Sequence, residues 1–242
     1  MSEAIELSDV TYRWQPAQAP VLDIPAFTVA AGERVFISGP SGSGKTTLLN
    51  LIGGIAVPET GAVNVLGSRL DALSRSKRDG FRADHIGLIF QLFNLVPYLS
   101  LIDNVLLPCR FSARRRARAA LVAEGPDSEA RRLLVHMGLP ERALAGQKVT
   151  DLSVGQQQRV AAARALIGTP EIVIADEPTS ALDEDARQSF LDILFETTAR
   201  NRQTLIFVSH DRRMESLFDR HVVLSDINRA AAAPPAAPSA SG

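Results

Sequence analysis

Apolar and polar positions divide this chain into short apolar runs separated by longer mixed stretches. Runs of about five apolar residues bounded by glycine or proline read as buried strands. Arg34-Val35-Phe36-Ile37-Ser38 lies between Gly32 and Gly39, and Glu171-Ile172-Val173-Ile174-Ala175 follows Pro170. Ile86-Gly87-Leu88-Ile89-Phe90, Thr204–Val208 and Val222–Leu224 have the same character. Val10–Trp14 and Ala62–Leu66 add strands near the N-terminus. Helical patterns occupy Thr47–Ile52, which ends at Gly53-Gly54, and Asp127–Met137, Val154–Leu166 and Asp185–Arg200. Strands and helices alternate at both ends of the chain, which predicts an α/β fold with a mainly parallel sheet. Residues 92–165 show no clear strand and read as a helical insertion. The tail from Ala230 to Gly242 is nearly all Ala, Pro, Ser and Gly and is expected to be disordered.

Between the strand at 34–38 and the helix at 47–52 stands Gly39-Pro40-Ser41-Gly42-Ser43-Gly44-Lys45-Thr46. This is a full match to the phosphate-binding pattern G-x-x-x-x-G-K-[ST] in its confirming strand–loop–helix context. Glycines let backbone N–H groups turn inward around phosphates, and the helix N-terminus adds partial positive charge. Lys45 can reach the β and γ phosphates, and the Thr46 hydroxyl is placed to ligate Mg²⁺.

The strand ending at Ala175 runs into Asp176-Glu177-Pro178. An isolated Asp-Glu pair reads as an acidic surface turn. At the C-terminal end of a buried strand beside a phosphate loop, Asp176 can hold Mg²⁺ through water. Glu177 is then free to polarise an attacking water. Two adjacent carboxylates repel without a cation, so the pair fits a metal–phosphate site.

Further motifs, in order, resemble the ATP-binding cassette (ABC) family. Leu152-Ser153-Val154-Gly155-Gln156 is similar to its signature peptide, Gln91 to its Q-loop glutamine, Ser180-Ala181-Leu182-Asp183 to its D-loop and His210 to its switch histidine. The family's usual signature has two glycines, and Val154 stands at the first. A β-branched residue resists positive φ, so position 154 is expected to be helical already. Alternation along a strand puts Tyr12 and Trp14 on one face, and the family's spacing favours Trp14 as the ring stacked on adenine.

The resemblance implies a P-loop ATPase domain over residues 3–228. Its core covers 3–91 and 166–228, includes an N-terminal antiparallel β region, and carries a helical subdomain at about 92–165; the tail is 229–242. It also implies ATP binding by Trp14, Gly39, Pro40, Ser41, Gly42, Ser43, Gly44, Lys45, Thr46, Thr47 and Asp176. Catalysis would fall to Glu177, His210 and Gln91, and Mg²⁺ to Thr46, Gln91 and Asp176. Leu152, Ser153, Val154, Gly155, Gln156 and Asp183 would contact ATP and the partner subunit across a head-to-tail homodimer. Taken alone, His210 reads as structural and Asp183 as a helix N-cap.

The segment Phe90–Pro97 with Leu101–Pro108 looks like the lipoprotein-release, macrolide-export and cell-division branch of the family, whose partners are membrane permeases. Its apolar residues Leu92, Phe93, Leu95, Val96 and Leu99 are expected to receive a helix from such a permease.

Composition narrows the classes. At 242 residues the chain can bury a sizeable core, and a formal net charge of −1 gives no global pull toward nucleic acid or anionic lipid. The single cysteine, Cys109, excludes an internal disulfide and a cysteine metal cluster. No run approaches the roughly 18 apolar residues of a membrane span. Glu3 and Glu6 occupy an N-terminus without a secretion segment, which predicts a cytoplasmic protein, and the resemblance, through its permease partner, implies a peripheral place on the inner face of the cell membrane. The basic run Arg114-Arg115-Arg116-Ala117-Arg118 reads first as a solvated helix face or loop, then as a contact for an anionic leaflet, then for nucleic acid. A transporter ATPase subunit is the leading class. The others are an ATP-driven regulatory module on a membrane partner and a soluble ATPase of DNA repair, chromosome handling or cofactor assembly.

Overall fold

The computed structural model describes residues 2–232. Two sheets are present among them. The antiparallel sheet has the order β2-β1-β4-β5, with β1 at Glu3–Tyr12, β2 at Leu22–Ala30, β4 at Thr60–Val65 and β5 at Ser68–Arg69. The parallel sheet has the order β6-β7-β8-β3-β9, with β3 at Arg34–Ser38, β6 at Ile86–Ile89, β7 at Ile172–Asp176, β8 at Thr204–Val208 and β9 at Arg220–Val223.

The apolar runs are continuous because both faces of the parallel sheet are covered. Successive side chains point to opposite faces. Val35, Ile37, Ile172, Ile174, Ile206 and Val208 therefore join the antiparallel sheet and helix α1 (Lys45–Ile52) in one core. Phe36, Val173, Ala175, Leu205 and Phe207 face the other way, into a second core. That core is closed by α3 (Leu101–Phe111), α5 (Pro126–His136), α6 (Val154–Leu166) and α7 (Glu184–Arg200). Helix α6 lies hard against β6: a Cβ on Gly87 would stand 2.2 Å from the Ala165 carbonyl oxygen.

Four helices have no counterpart in the sequence pattern: α2 (Arg75–His85), α3, α4 (Ala113–Val122) and the short α8 (Leu224–Ile227). Helix α2 buries no residue and α4 only Arg115 and Ala119, so neither writes an apolar stripe. Helix α3 contains Pro108, which reads as a breaker but falls in its last turn. Helix α8 (Leu224–Ile227) follows β9, and Arg229–Ala232 form a 3₁₀ turn after it. The turn takes up the first four residues of the expected tail, 229–242, and residues 233–242 lie outside the described residues.

The basic run is not a solvated face. Arg114 and Arg118 both donate to Glu171 Oε1, at 2.6 and 2.7 Å, and Arg118 also reaches the Thr169 carbonyl at 2.8 Å. Arg115 is 2% exposed. Its guanidinium donates to the carbonyls of Ile167 (2.8 Å) and Ala165 (2.6 Å) at the C-terminal end of α6. A cation at a helix C-terminus meets unsatisfied carbonyls and the negative end of the dipole, which offsets part of its desolvation. Burial nevertheless pulls Arg115 down to about 10. The run fastens α4 to the turn between α6 and β7, and only Arg116 of its arginines is exposed with no side-chain hydrogen bond among the described residues.

His85 Nδ1 lies 3.0 Å from Glu171 Oε2. Burial pushes the Glu171 carboxyl up, but hydrogen bonds from His85, Arg114 and Arg118 overcome it and hold the group well below the usual carboxylate range. A depressed carboxyl stabilises the fold fully above its unfolded value of ~4.3 and loses that contribution as pH falls through the folded value. Glu171→Gln should therefore cost about 1 kcal/mol at pH 7 in urea unfolding, with the difference from the unmodified chain shrinking below pH 4. A difference that stays constant down to pH 3.5 would show that the ionised carboxylate carries no such load.

Candidate functional site

Parallel pairing in register brings three strand ends to one edge. Ile37 and Asp176 both pair with Val208, so the segments after β3, β7 and β8 emerge together. They are the phosphate loop, Asp176-Glu177 and Ser209-His210. The cleft they form encloses about 710 Å³ and is lined by Trp14, Val21, Ser41, Gly42, Gly44, Lys45, Thr46, Thr47, Gln91, Asp176, Glu177 and His210.

Within the loop, Gly44 is the N-cap of α1 in the left-handed region at φ 102°. A Cβ there would lie 2.9 Å from Leu22 Cδ2 and 3.3 Å from the Val21 carbonyl. Lys45 Nζ donates to the carbonyls of Gly39 (2.8 Å) and Pro40 (3.0 Å), which curls its chain back over the loop. Ser43 Oγ is buried and has no hydrogen-bond partner. Thr46 Oγ1 donates to Asp176 Oδ2 at 2.9 Å, joining the loop to the end of β7. Burial raises the Asp176 carboxyl; the Thr46 hydrogen bond opposes this, Glu177 adds to it and Lys45 works against it.

Glu177 sits at φ 48°, a left-handed conformation that costs a non-glycine residue roughly 1–2 kcal/mol. Its amide donates to the Val208 carbonyl at 2.9 Å and its Oε2 lies 2.9 Å from His210 Nδ1. Phe93 and Asn94 beyond Gln91 are left-handed as well, at φ 55° and 50°. Arg164, in the last turn of α6, donates to the carbonyls of both. Neither Arg164 nor Val21 carries a local sequence signal, because their roles come from the fold bringing distant segments together.

Trp14 lies just past β1, not on it; the strand ends at Tyr12. The two rings meet edge-on with centroids 5.2 Å apart, and Trp14 is 57% exposed. The apolar Q-loop surface also differs from expectation. Leu92 is exposed, but Phe93, Leu95, Val96 and Leu99 are half-buried, and Leu95 packs on the core. Tyr98 and Phe111 are the other exposed rings of this region.

Leu152, Ser153, Val154, Gly155, Gln156 and Asp183 do not line the cleft. Ser153 is the N-cap of α6 in a capping box: its Oγ accepts from the Gln156 amide, and Gln156 Oε1 accepts from the Ser153 amide. Val154 is the first helical residue, which accounts for a β-branched side chain there. Leu152 is buried, whereas Ser153 and Val154 are exposed. Asp183 caps α7, accepting from the Ala186 amide at 2.8 Å.

The residues present fit a magnesium nucleotide. Thr46 and Asp176 offer hard oxygen donors side by side, Gln91 lines the same cleft, and the unpartnered Ser43 hydroxyl fits a phosphate oxygen. No group of three or more His, Cys, Asp and Glu among the described residues could hold a metal by itself.

A cleft of this build, in a parallel sheet with a phosphate loop, defines a nucleoside-triphosphatase. The ABC transporter family model matches residues 22–180, and the chain belongs to that family. An uncharacterised ABC transporter ATP-binding protein of Mycobacterium tuberculosis is 40% identical over 91% of this chain and 86% of its own length. The lipoprotein-releasing system ATP-binding protein LolD of Bacteroides fragilis is 37% identical over 83% of this chain and 88% of its own. A dimeric post-hydrolysis structure of the ATP-binding cassette MJ0796 bound to ADP and Pi has a TM-score of 0.79 at 35% identity, covering 90% of this chain and 93% of that one. The chain is thus an ABC transporter ATP-binding subunit of the LolD-like branch, a family whose activity is ATP hydrolysis. No helix among the described residues is long and apolar enough to cross a membrane.

The close approach at Gly44 yields a test. Gly44→Ala should weaken ATP binding about tenfold in a nucleotide titration and lower the melting temperature, since its Cβ has no room. Gly42→Ala, at φ 77° with nothing within 4 Å of its Cβ, should have the smaller effect. Equal effects would mean that backbone conformation alone sets the requirement.

Proposed function

We propose that this chain hydrolyses Mg-ATP as a head-to-tail homodimer and thereby drives an integral membrane permease from the cytoplasmic face. One observation carries the reading: the phosphate loop, Asp176, Glu177 and His210 share a cleft from which Ser153 and Gly155 are absent. A Cβ on Gly155 would meet only Leu182 Cδ2 at 3.4 Å, so nothing within the subunit requires glycine there. Glycine in a first helical turn costs about 1 kcal/mol relative to alanine. A second subunit's γ-phosphate approaching that turn supplies the reason.

In this reading Lys45 and the loop amides hold the β and γ phosphates. Thr46, Asp176 and Gln91 would hold Mg²⁺, which neutralises charge on the transferring phosphoryl group. Glu177 polarises the attacking water, and His210 Nδ1 fixes the carboxylate while leaving Nε2 for the γ-phosphate. The neighbouring α6 N-terminus, offered by the partner, adds amide donors and positive dipole. Asp183 reaches the partner from the start of α7.

The docking surface for a permease helix shifts from the half-buried Leu95 and Val96 to a groove of about 490 Å³ between the α2–β6 segment and α3. Leu88, Phe90, Asn94, Leu107, Pro108 and Phe111 line it. Asn94 belongs to the strained turn after Gln91, so a helix seated there touches the same segment that enters the nucleotide cleft.

Complementation tests the shared site. Lys45→Ala and Ser153→Arg chains should each be inactive alone, and their mixture should recover hydrolysis from one intact composite site per heterodimer. Mixtures that stay inactive, although both variants fold and dimerise, would overturn it. For the chemistry, Glu177→Gln should bind ATP nearly as the unmodified chain does, yet slow hydrolysis by about 10²–10⁴ and accumulate as an ATP-bound dimer. Hydrolysis near the unmodified rate would transfer the role to another group.

A further inference from the structure

Asn228 is 1% exposed, belongs to none of the motifs, and makes three side-chain hydrogen bonds. It follows α8, and its carboxamide lies on the outer edge of β2, the terminal strand of the antiparallel sheet. The Oδ1 accepts from the Asp23 amide at 2.8 Å and from the Ala230 amide at 3.2 Å, and Nδ2 donates to the Val21 carbonyl at 3.0 Å. A carboxamide offers one acceptor and donors in the spacing of a strand's own peptide group. Asn228 thus acts as a one-residue strand that satisfies an otherwise open edge.

What this edge supports gives the contact its meaning. Val21 is the last residue of the loop joining β1 to β2, and its amide donates to the Tyr12 carbonyl at 2.8 Å, closing that loop. Trp14 rides on the loop, and Trp14 and Val21 both line the nucleotide cleft. Val21 also stands against Gly44, where a Cβ would be 3.3 Å from Val21 Cγ1. Removing the carboxamide leaves the Val21 carbonyl and the Asp23 amide unpaired and frees one end of the loop. The phosphate loop has its own anchors in β3, α1 and the Thr46–Asp176 hydrogen bond, none of which involves Asn228.

We infer that Asn228 is a positioning residue for the nucleotide base: from the C-terminal end of the domain it fixes the Trp14–Val21 wall against which the base stacks. The inference rests on the assignment of Trp14 to the adenine and goes beyond it by naming what holds that ring in place.

The experiment compares ATP with inorganic tripolyphosphate, which presents the phosphates without a base, on four chains: unmodified, Asn228→Ala, Trp14→Ala and the double variant. Asn228→Ala should weaken ATP binding about fivefold, as befits the loss of a buried hydrogen-bonded link, and leave tripolyphosphate binding unchanged. Retained tripolyphosphate binding also reports that the variant is folded. In the Trp14→Ala background the Asn228 substitution should cost nothing further, because the ring through which it acts is gone. Equal losses for both ligands, additive losses in the double variant, or no loss of ATP affinity in Asn228→Ala would each overturn the inference. Unchanged ATP affinity in Trp14→Ala would overturn the adenine assignment itself and this inference with it. Weakening in Trp14→Ala with none in Asn228→Ala would overturn the role of Asn228 alone.

Discussion

Everything the site does depends on the register of three parallel strands. Because β3 and β7 flank β8, with Ile37 and Asp176 both opposite Val208, their C-terminal ends finish level. The crossovers that parallel pairing demands leave loops at that edge, where backbone is free to bind a ligand. A slip of one residue would invert the facing of every strand side chain, sending Phe36 and Phe207 into the core that now holds Ile37 and Val208. The two distinct cores therefore lock the register, and the register sets the Thr46–Asp176 and Glu177–His210 pairs. Apolar packing, with no polar specification, places the carboxylates beside the phosphate loop.

The same reasoning explains how much was legible beforehand. Strand β3 and helix α6 fall where the apolar pattern puts them, since each is an apolar stretch buried over most of its length and its ends carry glycine or a capping serine. Helices α2 and α4 were hidden because they bury almost nothing apolar and draw on polar links instead. The Arg114–Arg118 run shows the limit most plainly. Its charges look solvated in one dimension, yet Glu171 and the end of α6, some fifty residues away, take up three of the four arginines. Trp14 lay within reach of an alternation argument, but the strand stops two residues short and the ring sits on a loop.

Helix α6 links these parts. At its N-terminus Ser153 and Gln156 satisfy each other's backbone groups, so the first turn is rigid without help from a neighbour. At its C-terminus Arg115 reaches in from α4, and from the last turn Arg164 grips the left-handed Phe93 and Asn94. Gly87 lets the helix ride directly on β6. A helix of 13 residues is about 20 Å long. It spans the distance from an exposed N-terminal turn to the segment that enters the nucleotide cleft.

That geometry also decides which motions are cheap. The C-terminal end of α6 is held by arginine side chains donating to carbonyls, bonds that can be exchanged one at a time, whereas its flank is packed into a core that deforms reluctantly. The strained turn at Phe93–Asn94 is the natural place for such an exchange, because relaxing two left-handed residues offsets part of the loss of the Arg164 bonds. Gln91 lines the cleft and Asn94 lines the apolar groove, so in the proposed reading a rearrangement of this turn would displace both. A ligand at either place biases the other by its differential affinity for the two arrangements, and the bias is reciprocal. In the proposed reading, nucleotide chemistry and a docked helix would be coupled through this single strained turn, without any large change in the sheet that carries the site.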